Sequence, residues 1–183
     1  PADLSRLGQV DLVWASMSLH HVGDEVAALR ALAGVLTPQG LIALAEMADP
    51  MRTLPTDLGA GRPGLVYRLE ASWAPWFREM RHGLDSSAES QDLAVMVRAA
   101  GLTVLDYRIT RMRLDPPLPQ SSRVFVRRFL ERARGRLAPM LDEDDLATID
   151  VLLDDDHPLS VVQRDDVFVE ASRRIVVAQP TRL

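Results

Sequence analysis

The chain has 183 residues, 47% of them hydrophobic and 26% charged, with a formal charge of −5, the composition of one ordinary globular domain. It contains no cysteine, which excludes a disulfide framework, a thiolate metal site and a cysteine nucleophile, and its basic residues are all arginine, which excludes Schiff-base chemistry. The acidic balance argues against a general nucleic-acid footprint. No apolar run reaches the ~18 residues of a membrane span, and the first residues lack a basic-then-apolar leader pattern, so the expected location is the cytoplasm.

In chain order, Val10 to Met17 is a short apolar run without clean alternation, as in a buried strand of a parallel sheet. Beyond Leu19-His20-His21-Val22-Gly23, Asp24 is placed to cap a helix carrying Val26, Leu29, Leu32 and Leu36, which Thr37-Pro38-Gln39-Gly40 is expected to end. Leu41 to Glu46 is a second buried strand, so the two strands should lie parallel across one right-handed βαβ unit. Residues 48–64, rich in Pro, Gly and Thr, read as a loop. Tyr67, Trp73, Trp76 and Phe77 follow, and Pro75 suggests the first turn of a helix there, with His82 in the next loop.

Ser86-x-x-Glu89 is a capping-box pattern before a helix with Leu93, Met96, Val97 and Ala100 on one face, terminated by Gly101. Leu102 to Leu114 alternates as a half-exposed strand. An insert from Asp115 to Asp166 opens on Pro116, Pro117 and Pro119 and holds two expected helices, over 121–137 and 143–153. Val167 to Ala178 is a last strand. The fold class is α/β, with the whole chain, 1–183, as a single domain and the insert at about 115–166 as an elaboration on its sheet.

The stretch D-L-V-W-A-S-M-S-L-H-H-V, a helix, and then V-L-T-P-Q-G-L-I-A-L-A-E resembles the middle of class I S-adenosylmethionine-dependent methyltransferases, in the small-molecule branch that includes quinone-biosynthesis C-methylases. S-A-E-S-Q-D-L-A-V-M-V-R-A-A-G-L-T-V-L and V-F-V-E-A-S-R-R-I-V-V-A-Q-P resemble the family's later helix and strand and its terminal antiparallel strand. Gln39 stands where the family places the first glycine of its turn. The resemblance implies a partial doubly wound, Rossmann-like sheet whose last strands are antiparallel, S-adenosylmethionine as cofactor, a small-molecule methyl acceptor, and Ser16 and Met17 lining the cofactor cleft.

Family members also carry a glycine-rich loop and a ribose-binding acidic residue before this point, which let the backbone approach the cofactor. Only ten residues precede Asp11, so the expectation is the C-terminal part of an enzyme, inactive alone. Its first strand should then be a raw edge seeking a partner, such as another copy in a homodimer. The competing reading is a non-catalytic α/β dimerisation module that has lost cofactor binding. A hydrolase is disfavoured because no G-x-S-x-G elbow occurs.

Ligands of open α/β sheets sit beyond the carboxyl ends of the strands, here Ser16 to His21 and Glu46 to Asp49. His20 and His21 are therefore the catalytic candidates, able to orient or deprotonate a hydroxyl or an acidic carbon, although a histidine before a helix often only bonds backbone. Met17 reads equally as a core side chain. Glu46, Trp73 and Trp76 are candidates for the substrate site, the two tryptophans reading equally as pocket wall or core. Arg123, Arg127, Arg128, Arg132, Arg134 and Arg136 alternate with apolar residues and read as the solvated face of an amphipathic helix before an RNA-binding stripe. Asp142 to Asp145 and Asp154 to His157 sit where a helix begins and ends and lack calcium-loop spacing, so no metal is expected.

Overall fold

A computed structural model describes residues 4–84 and 92–181, so the Ser86-to-Glu89 capping pattern lies outside the described residues. The chain divides into two compact units, one comprising residues 1–49, 80–110 and 172–183, the other 50–79 and 111–171. A four-stranded sheet has the order β1-β2-β4-β3, with β1 at Val10–Ser16, β2 at Leu36–Met47, β3 at Leu102–Leu114 and β4 at Val169–Pro180. Among the described residues no helix is long and apolar enough to cross a membrane.

In the first unit, β1 pairs parallel with β2, from Leu12 opposite Leu41 to Ser16 opposite Ala45, and the intervening helix α1 (Glu25–Ala33) makes the expected βαβ unit. Asp24 caps α1 by accepting a 2.8 Å bond from the Ala27 N–H. The helix stops earlier than its apolar spacing suggests. Leu36 opens β2 instead of closing α1, because the Val35 carbonyl already accepts the Val10 N–H at 2.8 Å and draws the chain into the sheet. Thr37 to Gly40 therefore falls inside β2 as an irregularity, the register passing from Val10 opposite Leu36 to Leu12 opposite Leu41. A Cβ at Gly40 would stand 3.0 Å from the Val10 carbonyl oxygen and the Thr37 nitrogen, tight enough that the backbone would have to yield by a few tenths of an ångström.

β4 returns antiparallel along the other side of β2, from Ile42 opposite Ala178 to Met47 opposite Arg173. Helix α3 (Leu93–Ala99) is capped by Asp92, and Gly101, at φ 81°, makes the left-handed turn into β3. Leu29, Ile42, Leu44, Val97 and Val176 are completely buried in one apolar cluster, each burial contributing roughly 1.5–3 kcal/mol. The Arg30 guanidinium donates to the Ala99 carbonyl at 2.9 Å, tying α1 to the end of α3.

The second unit holds most of α2 (Leu65–His82), with α4 (Gln120–Leu137) and α5 (Glu143–Leu153) close to their expected bounds. Two expectations fail at α2. Pro75 lies inside the helix and His82 is its last residue. Proline removes one N–H from the helical ladder, and the packing of Trp73 and Trp76 against the unit's core favours the helix through that gap. The core gathers Leu65 and Leu69 with Val126, Leu130, Ala133 and Leu137 of α4 and Ile149 and Leu152 of α5, the buried positions recurring at helical spacing.

Arg128, Arg132 and Arg136 of α4 are exposed, as a solvated face requires, whereas Arg123, Arg127 and Arg134 are half-buried. Arg127 pairs with Glu131 and Asp155, Arg134 with Asp150, and Arg136 lies 5.0 Å over the Trp76 ring. Arg123 turns inward to the carbonyls of Leu118, Val162 and Arg164. The acidic run is similarly spent, Asp142 capping α5 and pairing with Arg62, and buried Asp145 receiving two bonds from Arg68, at 2.8 and 2.7 Å.

Candidate functional site

In the first unit, the carboxyl ends of β1 and β2 carry one connected polar cluster. β1 ends at exposed Ser16, and Met17 takes φ 51°, an uncommon conformation outside glycine, while its N–H donates to the Ala45 carbonyl at 2.8 Å. The chain then enters a short 3-10 turn over Leu19–His21, pinned from below by buried Leu19.

Glu46, at the end of β2, holds that turn. Its Oε1 accepts the N–H groups of Ser18 at 3.0 Å and Leu19 at 2.9 Å, and its Oε2 lies 2.6 Å from His20 Nδ1. Burial pushes the Glu46 carboxyl up, but the bond from His20 and those from the Leu19 and Ser18 amides outweigh it and hold the group below its ordinary value. An ionised carboxylate there favours a proton on Nδ1 of the ring. The His20 and His21 rings lie 4.1 Å apart, tilted by 48°.

Arg81, near the end of α2, clamps the same turn. One terminal nitrogen donates to the His20 carbonyl at 2.8 Å and the Val22 carbonyl at 3.0 Å; the other meets buried Glu25 Oε1 at 2.5 Å. In the same unit, Asp49 and Ser172 are mutually bonded, the Asp49 N–H donating to the hydroxyl at 2.8 Å and the hydroxyl to the Asp49 carboxylate at 2.7 Å.

The structure thus gathers Ser16, Met17, His20, His21 and Glu46 at one place. Both Glu46 oxygens are engaged by the turn. Trp73 and Trp76 belong to the second unit, where they pack edge to face at 5.3 Å, with Phe129 6.3 Å from Trp73. Arg81 and Glu25 went unread in the sequence: they are far apart along it, and each looks like an ordinary charge at a helix end. Among the described residues, no three His, Asp or Glu side chains converge as metal ligands would.

Residues 3–44 match the family described as Methyltransferase domain. No curated protein matches the chain. Similar solved structures include a protein of Bacillus halodurans C-125 provisionally named a methyltransferase, 11% identical with a TM-score of 0.46, the match covering 94% of this chain and 65% of that one. Another, provisionally named a type II methyltransferase, from Anaeromyxobacter dehalogenans, is 15% identical with a TM-score of 0.46, covering 95% and 67%. A third is Haemonchus contortus phosphoethanolamine N-methyltransferase 2 in complex with phosphomonomethylethanolamine and S-adenosylhomocysteine, 11% identical with a TM-score of 0.39, covering 94% and 34%. The chain therefore spans 34% to 67% of these proteins' own lengths.

Proposed function

We propose, from the match of residues 3–44 to the methyltransferase-domain family, that the chain contributes to S-adenosylmethionine-dependent methyl transfer onto a small-molecule acceptor. The observation that carries the reading is the Glu46-anchored His20 turn at the carboxyl ends of two parallel strands, where open α/β sheets bind ligands.

When bound, S-adenosylmethionine supplies the methyl group as a sulfonium. The end of β1 suits one wall of such a group: exposed Ser16 is small, and the left-handed turn at Met17 brings the backbone round beyond it. His20 serves the acceptor. Its Nε2 takes the proton that the nucleophilic atom gives up, and His21 lies beside it. Glu46 is a positioning residue that fixes the tautomer and angle of the His20 ring, and Arg81 holds the backbone on which the ring is mounted. Displacement at a methyl group gains most from alignment and exclusion of water, which suits a site made chiefly of positioning contacts.

Calorimetric titration of S-adenosylhomocysteine into the chain tests the reading. Saturable heat that weakens when Ser16 is replaced by a bulky residue supports it; no heat at any attainable concentration sinks it for this chain. The second reading, a non-catalytic association module, draws on β1, where Leu12 and Trp14 are 58% and 60% exposed on the edge strand of the sheet. Under that reading the chain self-associates and the same titration is flat.

A further inference from the structure

β3 is the edge strand at the end of the sheet opposite β1, and an edge of this length presents unpaired backbone groups to any strand that can reach them. The middle of one face is apolar. Leu105, Tyr107 and Ile109 are 51%, 46% and 48% exposed and alternate along one face. On the other face Asp106 and Arg108 stand next to each other, their charged atoms 3.4 Å apart and their side chains 43% and 62% exposed.

The order of these residues is what singles the strand out. Read outward from Tyr107 in both directions, L-D-Y-R-I places an acid opposite a base and an aliphatic opposite an aliphatic. If two copies of β3 run antiparallel about a two-fold axis through Tyr107, Asp106 of each copy faces Arg108 of the other, Leu105 faces Ile109, Val104 faces Thr110, and the two Tyr107 rings meet. Opposite charges and apolar or aromatic pairs directly across a ladder stabilise it, and like charges there destabilise it. A slip of one residue sets a charge across from Tyr107, and a slip of two puts Asp106 or Arg108 across from its own copy, so the charges select the register.

We propose that the β3 edge is an isologous interface and that its occupant is β3 of a second copy of this chain, the two sheets joining into one continuous sheet centred on Tyr107. The pattern that carries this is charge complementarity of the strand with its own reverse, independent of whatever binds at the carboxyl ends of β1 and β2.

Analytical ultracentrifugation of the full chain and two charge-reversed variants, Asp106→Arg and Arg108→Asp, tests the proposal, with circular dichroism recorded to establish that each is folded. The wild-type chain is expected to be dimeric. Each variant alone places like charges across the axis and should be monomeric, whereas an equimolar mixture of the two restores opposite charges at both positions and should form a heterodimer. Because the chain has no cysteine, Tyr107→Cys gives a second readout: under an added thiol oxidant it should cross-link to its own copy, and Trp14→Cys should not. A monomeric wild-type chain overturns the proposal, as do variants that remain dimeric or a mixture that remains monomeric. An assembly lost with Trp14→Glu but not with either charge reversal overturns it in favour of the β1 edge.

Discussion

His20 Nδ1 lies 2.6 Å from Glu46 Oε2, while the other oxygen of the same carboxylate receives the backbone N–H groups of Ser18 and Leu19. One side chain at the end of β2 therefore fixes both the ring of a candidate base and the turn that carries it.

Replacing Glu46 should expose that double use. Glu46→Ala leaves two amide donors without an acceptor in a half-buried position, a loss of about 1–3 kcal/mol for each group that water fails to reach. Glu46→Gln keeps an acceptor oxygen for the amides and should lose less. Urea denaturation of the two variants beside the wild type measures the difference; equal stability of all three would show that the turn does not depend on the carboxylate.

The acid limb of stability follows from the same group. Glu46 is held below its ordinary value of 4.5, so the unfolded state binds the proton more readily than the folded one. Its contribution is complete above about pH 4.5 and is lost as the pH falls through the lowered folded value. Glu46→Gln should flatten the melting temperature against pH in that acidic window and leave its shape near neutrality unchanged. A parallel curve would contradict the assignment.

Arg81 is expected to act through backbone. Arg81→Met removes the donors to the His20 and Val22 carbonyls and strands the Glu25 carboxylate, a change of about 3–5 kcal/mol when a buried pair is broken. Amide exchange at residues 18–22 should accelerate more than exchange in β2. Arg81→Lys keeps the charge but not the fork, and should restore stability more than protection of the turn.

The strands, α1 and the two insert helices were legible because their apolar runs and spacings are local: Val10 to Met17, Leu41 to Glu46, and the Val126, Leu130, Ala133, Leu137 stripe of α4. Position relative to the strand ends likewise brought Ser16, Met17, His20, His21 and Glu46 forward as a group. What pattern could not supply were the long-range contacts. Glu46 reads as a ligand-facing acid in sequence, yet its oxygens are engaged by residues after β1. Arg81 meets His20 and Glu25 only once the chain is folded. Pro75 misled because its helix is stabilised by core packing beyond the reach of propensity, and Leu36 because the Val10 N–H claims the residue before it for the sheet.

His20→Ala should lower kcat for the acceptor by about a hundredfold or more, the scale of general-base catalysis, while affinity for S-adenosylhomocysteine stays within a few-fold of the wild type. An unchanged rate would remove the histidine from the chemistry and leave it as a turn residue.

The most direct test of the central claim is a two-dimensional amide NMR titration of the chain with S-adenosylhomocysteine. The account predicts saturable shifts concentrated at Ser16, Met17, Ser18 and Leu19, with His20 following through its bond to Glu46. A spectrum unchanged at millimolar ligand, or shifts confined to residues outside the carboxyl ends of β1 and β2, would contradict it.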